Sequence, residues 1–365
     1  MQTSKFLSMS AAIAAFSFTM TGVAHAGGTI KFGDDQSVTV GFGARTSFTA
    51  VEDAAPSGKD WSKDFNLDSA RLYVSGSLNK WIKGTLNTEL DSNDDIHILD
   101  AYAQFEFSDE FNIWAGRMLP PSDRSNLDGP YYLSSWAYPG VVSQYPAKFA
   151  GRTDGVTVWG KLLGKKLTYA AGVYDGIDSP ANQSDNLLYA ARVAYNFLDV
   201  EDNPAYYTSS TYYGGADVFT VAVDFQYQSD AVGTAINPGN YFGYSADVLF
   251  EKKVLDGGAV TLEGAYYKYD TDDILDPGGL SQGKAYLASA AFLFPTEVGV
   301  GKFQPVVRYQ KFENDLTPVD VKRTDFGVNY IIKGHSARIS AAYGINDVSV
   351  GKDYNDFTLG LQVQY

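Results

Sequence analysis

Few residues in this sequence carry the groups that bond-making chemistry needs. Beyond the first 26 residues there are two histidines, His97 and His335, and the chain has no cysteine. His97 sits in Asn93-Asp94-Asp95-Ile96-His97-Ile98-Leu99-Asp100, where an imidazole beside carboxylates could activate water. A hydrolytic site also needs a partnered nucleophile or an orienting group, and none is identifiable nearby. His335 falls in a short turn. Asp91-Ser92-Asn93-Asp94-Asp95 has the carboxylates of a calcium loop but lacks its central glycine and closing glutamate. No phosphate-cradling glycine motif and no zinc spacing occurs. A net charge of −15 argues against a nucleic-acid partner. The expectation is therefore no enzyme, no cofactor and no metal. What remains is work done by fixed charge. Arg45, Arg71 and Arg308 fall in alternating segments, while Asp123, Arg124 and Asp128 fall in a long irregular one. Charges around confined water orient and select what passes.

Such charges act only if the chain encloses water. The first 26 residues have a basic start at Lys5, an apolar run from Ala11 to Phe16 and an Ala24-His25-Ala26 exit. That is the pattern of a cleaved secretory signal, with an apolar run too short to anchor in a membrane. Residues 27–365 then form one domain, since no linker or composition break divides them. An exported chain without disulfides needs another source of stability.

Alternation supplies it. Val38, Val40, Phe42 and Ala44 alternate with Thr39, Gly41, Gly43 and Arg45. Phe219, Val221, Val223, Phe225 and Tyr227 alternate with Thr220, Ala222, Asp224, Gln226 and Gln228. Sixteen such segments can be counted, near 37–48, 65–78, 82–91, 97–107, 111–118, 152–163, 167–175, 187–197, 217–228, 241–250, 259–269, 283–294, 302–312, 323–332, 336–345 and 355–365. Short turns such as 79–81 and 164–166 alternate with long polar loops such as 53–63 and 313–322. One connection, 198–216, is long where a short turn is due. Period-two patterning with an even strand count and alternating connection lengths describes an all-β, 16-stranded antiparallel transmembrane β-barrel. A sheet in lipid must close, and sixteen strands leave an aqueous lumen. The aromatic end at Tyr365 looks like the C-terminal assembly signal of bacterial outer-membrane barrels, where phenylalanine is commoner.

The irregular stretch from Gly116 to Arg152 is rich in Pro, Gly, Tyr and Trp. Disordered loops are poor in aromatics, so this one must pack, and long structureless loops are commonly functional. By strand count it is the third long loop.

Gly116-Arg117-x-x-Pro120-Pro121-Ser122-Asp123-Arg124, with the aromatics after it, resembles the phosphate-selective porin O and P family. Arg152-Thr153-Asp154-Gly155-Val156 and Tyr206-Tyr207 with Tyr212-Tyr213-Gly214 are similar too. The resemblance implies a homotrimeric outer-membrane porin of a Gram-negative bacterium, with the long third loop folded into the lumen. It does not carry phosphate with it, because 28 Lys+Arg stand against 43 Asp+Glu. Alternation turns Arg45, Arg71, Arg192, Arg308 and Arg338 inward together with Glu89, Asp100, Glu106, Asp224, Asp247, Glu263 and Asp325. A mixed lumen means weak selectivity for small hydrophilic solutes and ions. An anion-selective or phosphate-selective porin, a loop-functional barrel (adhesin or enzyme) and a structural barrel are the alternatives. Loop acids at 91–95 and 270–276 read as solvated charge or as sites bridged to lipopolysaccharide in the outer-membrane lipid by divalent cations. The expected constriction sets the basic wall of Arg45, Arg71 and Arg308 against Asp123 and Asp128 of the loop, with Arg124 between them.

Overall fold

The computed structural model describes residues 27–90, 95–275 and 279–365. The expected signal segment 1–26, most of the acidic stretch 91–95 and the end of 270–276 lie outside the described residues.

Six strands, β1 (Gly28–Lys31), β2 (Ser37–Val51), β3 (Asp64–Ser77), β4 (Ile82–Leu90), β5 (Ile96–Glu106) and β6 (Asn112–Met118), precede one helix, α1 (Arg124–Tyr132). Then come β7 (Thr153–Leu162), β8 (Leu167–Tyr174), β9 (Leu188–Asn196), β10 (Val218–Thr234), β11 (Asn237–Val254) and β12 (Gly258–Asp270). The remaining strands are β13 (Gly283–Leu293), β14 (Glu297–Val298), β15 (Gly301–Asn314), β16 (Val321–Lys333), β17 (Ala337–Val348) and β18 (Tyr354–Gln364).

Two of these are small hairpin additions: β1 pairs with the start of β2, and β14 with the start of β15. The other sixteen pair antiparallel in chain order, and β18 returns to β2 with Gln362 opposite Arg45. The barrel is closed. At the seam Tyr365 N donates to Phe42 O and Phe42 N donates to Tyr365 O, both at 2.8 Å. Closure leaves no edge with unpaired amides and carbonyls, the condition for a sheet surrounded by hydrocarbon.

The alternation read from the sequence holds along the wall. In β10 the outward Val223 is 56% exposed, whereas its neighbours Ala222 and Asp224 are 2% and 5% exposed. The segment boundaries differ most at β10 and β11, which run on to a tight turn at residues 235–236 where a loop from 229 to 240 was expected. Polar residues and Gly233, Pro238 and Gly239 mask the strand there. Pairing resumes at Val232 opposite Gly239, after an irregularity that follows Gln228, and Ala231 and Val232 are fully buried.

A charge on the outward face at mid-strand costs about 2–4 kcal/mol in a bilayer, falling toward zero near the interface. Val223→Arg should lower stability by that amount in urea titrations of the bilayer-inserted protein. Val298→Arg, at the barrel end, should change it by no more than about 1 kcal/mol.

Candidate pore constriction

Segment 119–152 joins β6 to β7. The sequence showed no helical period there, yet α1 forms. Asp123 caps it, its carboxylate accepting from Ser125 N at 3.0 Å, and Gly129 (φ 60°, ψ 179°) breaks it before Pro130. Arg124 through Gly129 are all buried. A helix covered on every side has no polar face, so its periodicity is invisible. After Leu133 the chain is irregular.

Five of its carbonyls are taken by inward-facing side chains of five different strands. Gln362 Nε2 donates to Tyr131 O at 3.0 Å and Arg338 Nη1 to Leu133 O at 2.5 Å. Asn329 Nδ2 donates to Ser134 O at 2.7 Å, Arg45 Nη2 to Trp136 O at 2.6 Å and Arg308 Nη1 to Ala137 O at 2.8 Å. The Arg45 guanidinium also lies 4.0 Å from the Trp136 ring centroid, a cation–π contact. The wall makes room for these rings with glycine. A Cβ on Gly360 would come 2.5 Å from the Trp136 ring, and one on Gly43 would come 2.8 Å from the Tyr131 hydroxyl. Arg71 is paired with Glu89 at 2.5 Å and lies 5.0 Å from the Tyr131 ring.

The expected opposition of basic wall and acidic loop side chains is therefore corrected. Arg45 and Arg308 meet backbone carbonyls of the loop, whose partial negative charge no sequence pattern reports. Asp123 and Asp128 sit elsewhere. Asp123 accepts from Tyr145 Oη at 2.8 Å and from Tyr267 Oη, on β12, at 2.9 Å. Neither carboxylate oxygen of Asp128 has a hydrogen-bond partner among the described residues. Burial, and then the nearby Glu263 charge, push the Asp128 carboxyl well above the usual range.

Arg124 does not stand between opposed charges but ties the helix to a second inner segment. Its guanidinium grips Glu201 with two bonds of 2.7 Å and Ser209 O at 2.8 Å, while its backbone N donates to Asp247 at 3.2 Å. Arg192 holds the same Asp247 at 2.5 and 3.0 Å. Glu201 belongs to the connection 197–217, the one whose length broke the pattern of short turns. That connection rises to meet the first. Tyr206 Oη donates to Leu119 O at 2.7 Å, Thr208 Oγ1 to Arg124 O at 2.9 Å, and Ser134 N to Ser210 Oγ at 2.8 Å. Glu251 of β11 holds its far end, accepting from Thr211 Oγ1 and from the amides of Tyr212 and Gly214. Sequence reasoning missed Glu201, Glu251, Asn329 and Gln362 as functional residues. The available signal was the excess length of 198–216.

His335 lies in the turn where it was expected, but it is a half-buried anchor. Its Nε2 is 2.9 Å from Thr211 O and 3.1 Å from Ser209 Oγ. Burial and then the Arg338 charge depress its pKa to about 4. His97 stacks on Phe149 at 4.7 Å between centroids.

A model of the family described as phosphate-selective porin O and P matches residues 38–270. No curated protein sequence matches. Solved structures are similar in fold. The in-vitro folded OmpT of Vibrio cholerae, in its trimer form, is 15% identical over 91% of this chain and 100% of that one, with a TM-score of 0.60. OmpF of Salmonella typhi, in complex with daunomycin, is 12% identical over 92% and 100%, with a TM-score of 0.61. OprB of Pseudomonas putida is 6% identical over 91% and 94%, with a TM-score of 0.64. At these identities the likeness is one of fold.

Removing one partner of a buried ion pair costs about 3–5 kcal/mol, whereas replacing both with apolar groups can be neutral. Arg124→Ala should destabilise by that amount in urea titrations, and Arg124→Met with Glu201→Leu by far less. The folded-state pKa of His335 lies below its ordinary 6.5. Its contribution is thus complete above pH 6.5 and is lost as pH falls toward about 4. Amide protection of 197–217 should fall across that window in the parent and stay flat in His335→Gln. A flat parent profile contradicts the neutral imidazole.

Proposed function

This chain belongs to the phosphate-selective porin O and P family, and on that premise we propose that it is a weakly selective diffusion channel narrowed from within. It is an outer-membrane porin of Gram-negative type. Segment 119–152 is the third long loop and folds into the lumen. Arg71 contributes charge at the narrowed passage for small hydrophilic solutes and ions, while Arg45, Arg308, Asp123, Arg124 and Asp128, all buried, act on it by holding the loop in place. The observation that supports this best is the row of loop carbonyls from Tyr131 to Ala137 held by side chains from five wall strands. An external flap would have no reason to be bonded to the inward face.

Weak selectivity follows from pairing. Strong selection needs rings of one sign, and here Arg71 is matched by Glu89, Arg192 by Asp247, Arg308 by Asp325 and Arg124 by Glu201. A second reading, selectivity for anions such as phosphate, is favoured by Arg45 and Arg338. Both are buried, and neither has a carboxylate partner in an ion pair among the described residues. The family expectation of a homotrimer carries over, as does contact with outer-membrane lipid and lipopolysaccharide.

Deleting 126–144 and rejoining the ends with a short glycine linker should raise single-channel conductance and admit larger sugars. Gly360→Leu, which displaces the Trp136 ring without shortening the loop, should do the same to a smaller degree. Parent-like conductance in both variants would place the loop outside the passage. Reversal potentials in a salt gradient should lie near zero; a strong anion preference would select the second reading.

A further inference from the structure

The inner wall is covered unevenly. On β10 and β11 every inward side chain is buried, from Thr220 through Gln228 and from Tyr241 through Glu251. On β3, β4 and β5 Ser69, Glu89, Asp100 and Tyr102 are buried too, but a run of inward side chains between them keeps contact with solvent. Ser75 is exposed, and Tyr73, Lys83, Thr85, Asn87 and Gln104 are half-buried. These six are neighbours across the sheet: Tyr73 is opposite Asn87, Ser75 opposite Thr85, and Lys83 opposite Gln104. Strand parity puts all of them on the same inner face.

The strip continues at both ends. Toward the short turns it meets a cavity of about 510 Å³ lined by Lys83, Glu106, Asn112, Trp159, Lys161 and, from the second inner segment, Ala205. Toward the long loops it passes the half-buried Arg71 and the exposed Asp68. Tyr131 of α1 faces it, edge-on to Tyr73 with centroids 6.5 Å apart. Elsewhere the two inner segments lie against the wall. The pocket that Trp136 lines with residues of β15–β18 holds only about 10 Å³.

The chemistry of the strip is as distinctive as its position. Along most of its length its charges occur as contact pairs, Arg71 with Glu89 and Lys83 with Glu106, each at 2.5 Å, and at the long-loop end Asp68 accepts from Ser47 Oγ. Between the pairs the groups in contact with solvent are hydroxyl, phenol and amide, and the Asp100 carboxylate opposite Asn87 is buried against Arg152. An ion entering sheds hydration and meets charges already paired along most of the strip. A neutral polyhydroxylated solute exchanges water for donors and acceptors of its own kind, and tyrosine adds an apolar face with a polar tip.

We propose that the passage is eccentric, running along β3–β5, and that Tyr73, Ser75, Thr85, Asn87 and Gln104 make it a path for neutral polyhydroxylated solutes such as small sugars. This rests on the channel reading and adds to it the route and the solute class.

The absence of cysteine allows a direct test. Single cysteines at Ser75, Thr85 and Gln104, and at the covered positions Thr220, Ser245 and Thr261, are exposed to a charged methanethiosulfonate reagent during planar-bilayer recording. Each of the first three should lose at least half of its current in steps, and the covered three should be unaffected. Block at the covered positions with silence along β3–β5 overturns the route while leaving the channel reading intact. A parent protein that never conducts overturns both. In liposome swelling, a neutral hexose should enter several-fold faster than an organic anion or cation of similar size. Thr85→Trp should slow the hexose several-fold while heat-sensitive oligomer bands stay unchanged. Ions entering as fast as the hexose, or an unaltered hexose rate in Thr85→Trp, overturn the solute class.

Discussion

A sheet surrounded by hydrocarbon can leave no backbone amide or carbonyl unpaired, and this single constraint shapes the whole molecule. It requires closure, met where β18 returns to β2. Closure with sixteen long strands makes an interior wider than wall side chains can fill. The inward face is polar, as alternation demands, so whatever fills it must offer hydrogen bonds. Two connections, 119–152 and 197–217, bond to wall side chains with their own backbone groups.

Buried guanidinium groups are costly unless their donors are occupied. Arg45 and Arg338 meet part of this demand without carboxylates, each donating to one carbonyl of segment 119–152, while Arg45 Nε and Arg338 Nε and Nη2 have no hydrogen-bond partner among the described residues; those carbonyls need donors because the chain there is neither helix nor strand. Each side supplies what the other lacks. The acidic wall is treated differently. Asp247 is shared by Arg192 and Arg124, so the cation that neutralises it comes partly from α1 itself. Glu251 is satisfied by amides and hydroxyls of the second inner segment. Charge balance and segment docking are thus the same set of contacts.

The wall was legible in the sequence because period two is a local property. Each outward Val, Phe or Tyr announces its face within a few residues, and the inward placement of Arg45, Arg192, Asp224 and Glu263 followed by parity. Strand ends were less legible: Gly and Pro near 233–239 signal a loop, while the buried Ala231 and Val232 carry β10 onward. The interior was legible only in part. The aromatics of 131–149 foretold packing, but α1 is buried all round and shows no period. Asp123 and Asp128 carry the loop's negative formal charge and so drew attention, whereas the loop acceptors that Arg45 and Arg308 use are main-chain carbonyls, which every residue type has. Glu201 and His335 are distant in sequence from the residues they fix, and only the odd length of 198–216 hinted at them.

The central claim is that two connections from opposite ends of the barrel meet inside it. Ser134 N and Ser210 Oγ, 2.8 Å apart, mark the junction. In a chain otherwise free of cysteine, Ser134→Cys with Ser210→Cys should form a disulfide in the membrane-inserted protein under mild oxidation, read as a gel shift between proteolysed samples with and without reductant. Thiols that stay free in the folded barrel, and join only after denaturation, would contradict the account.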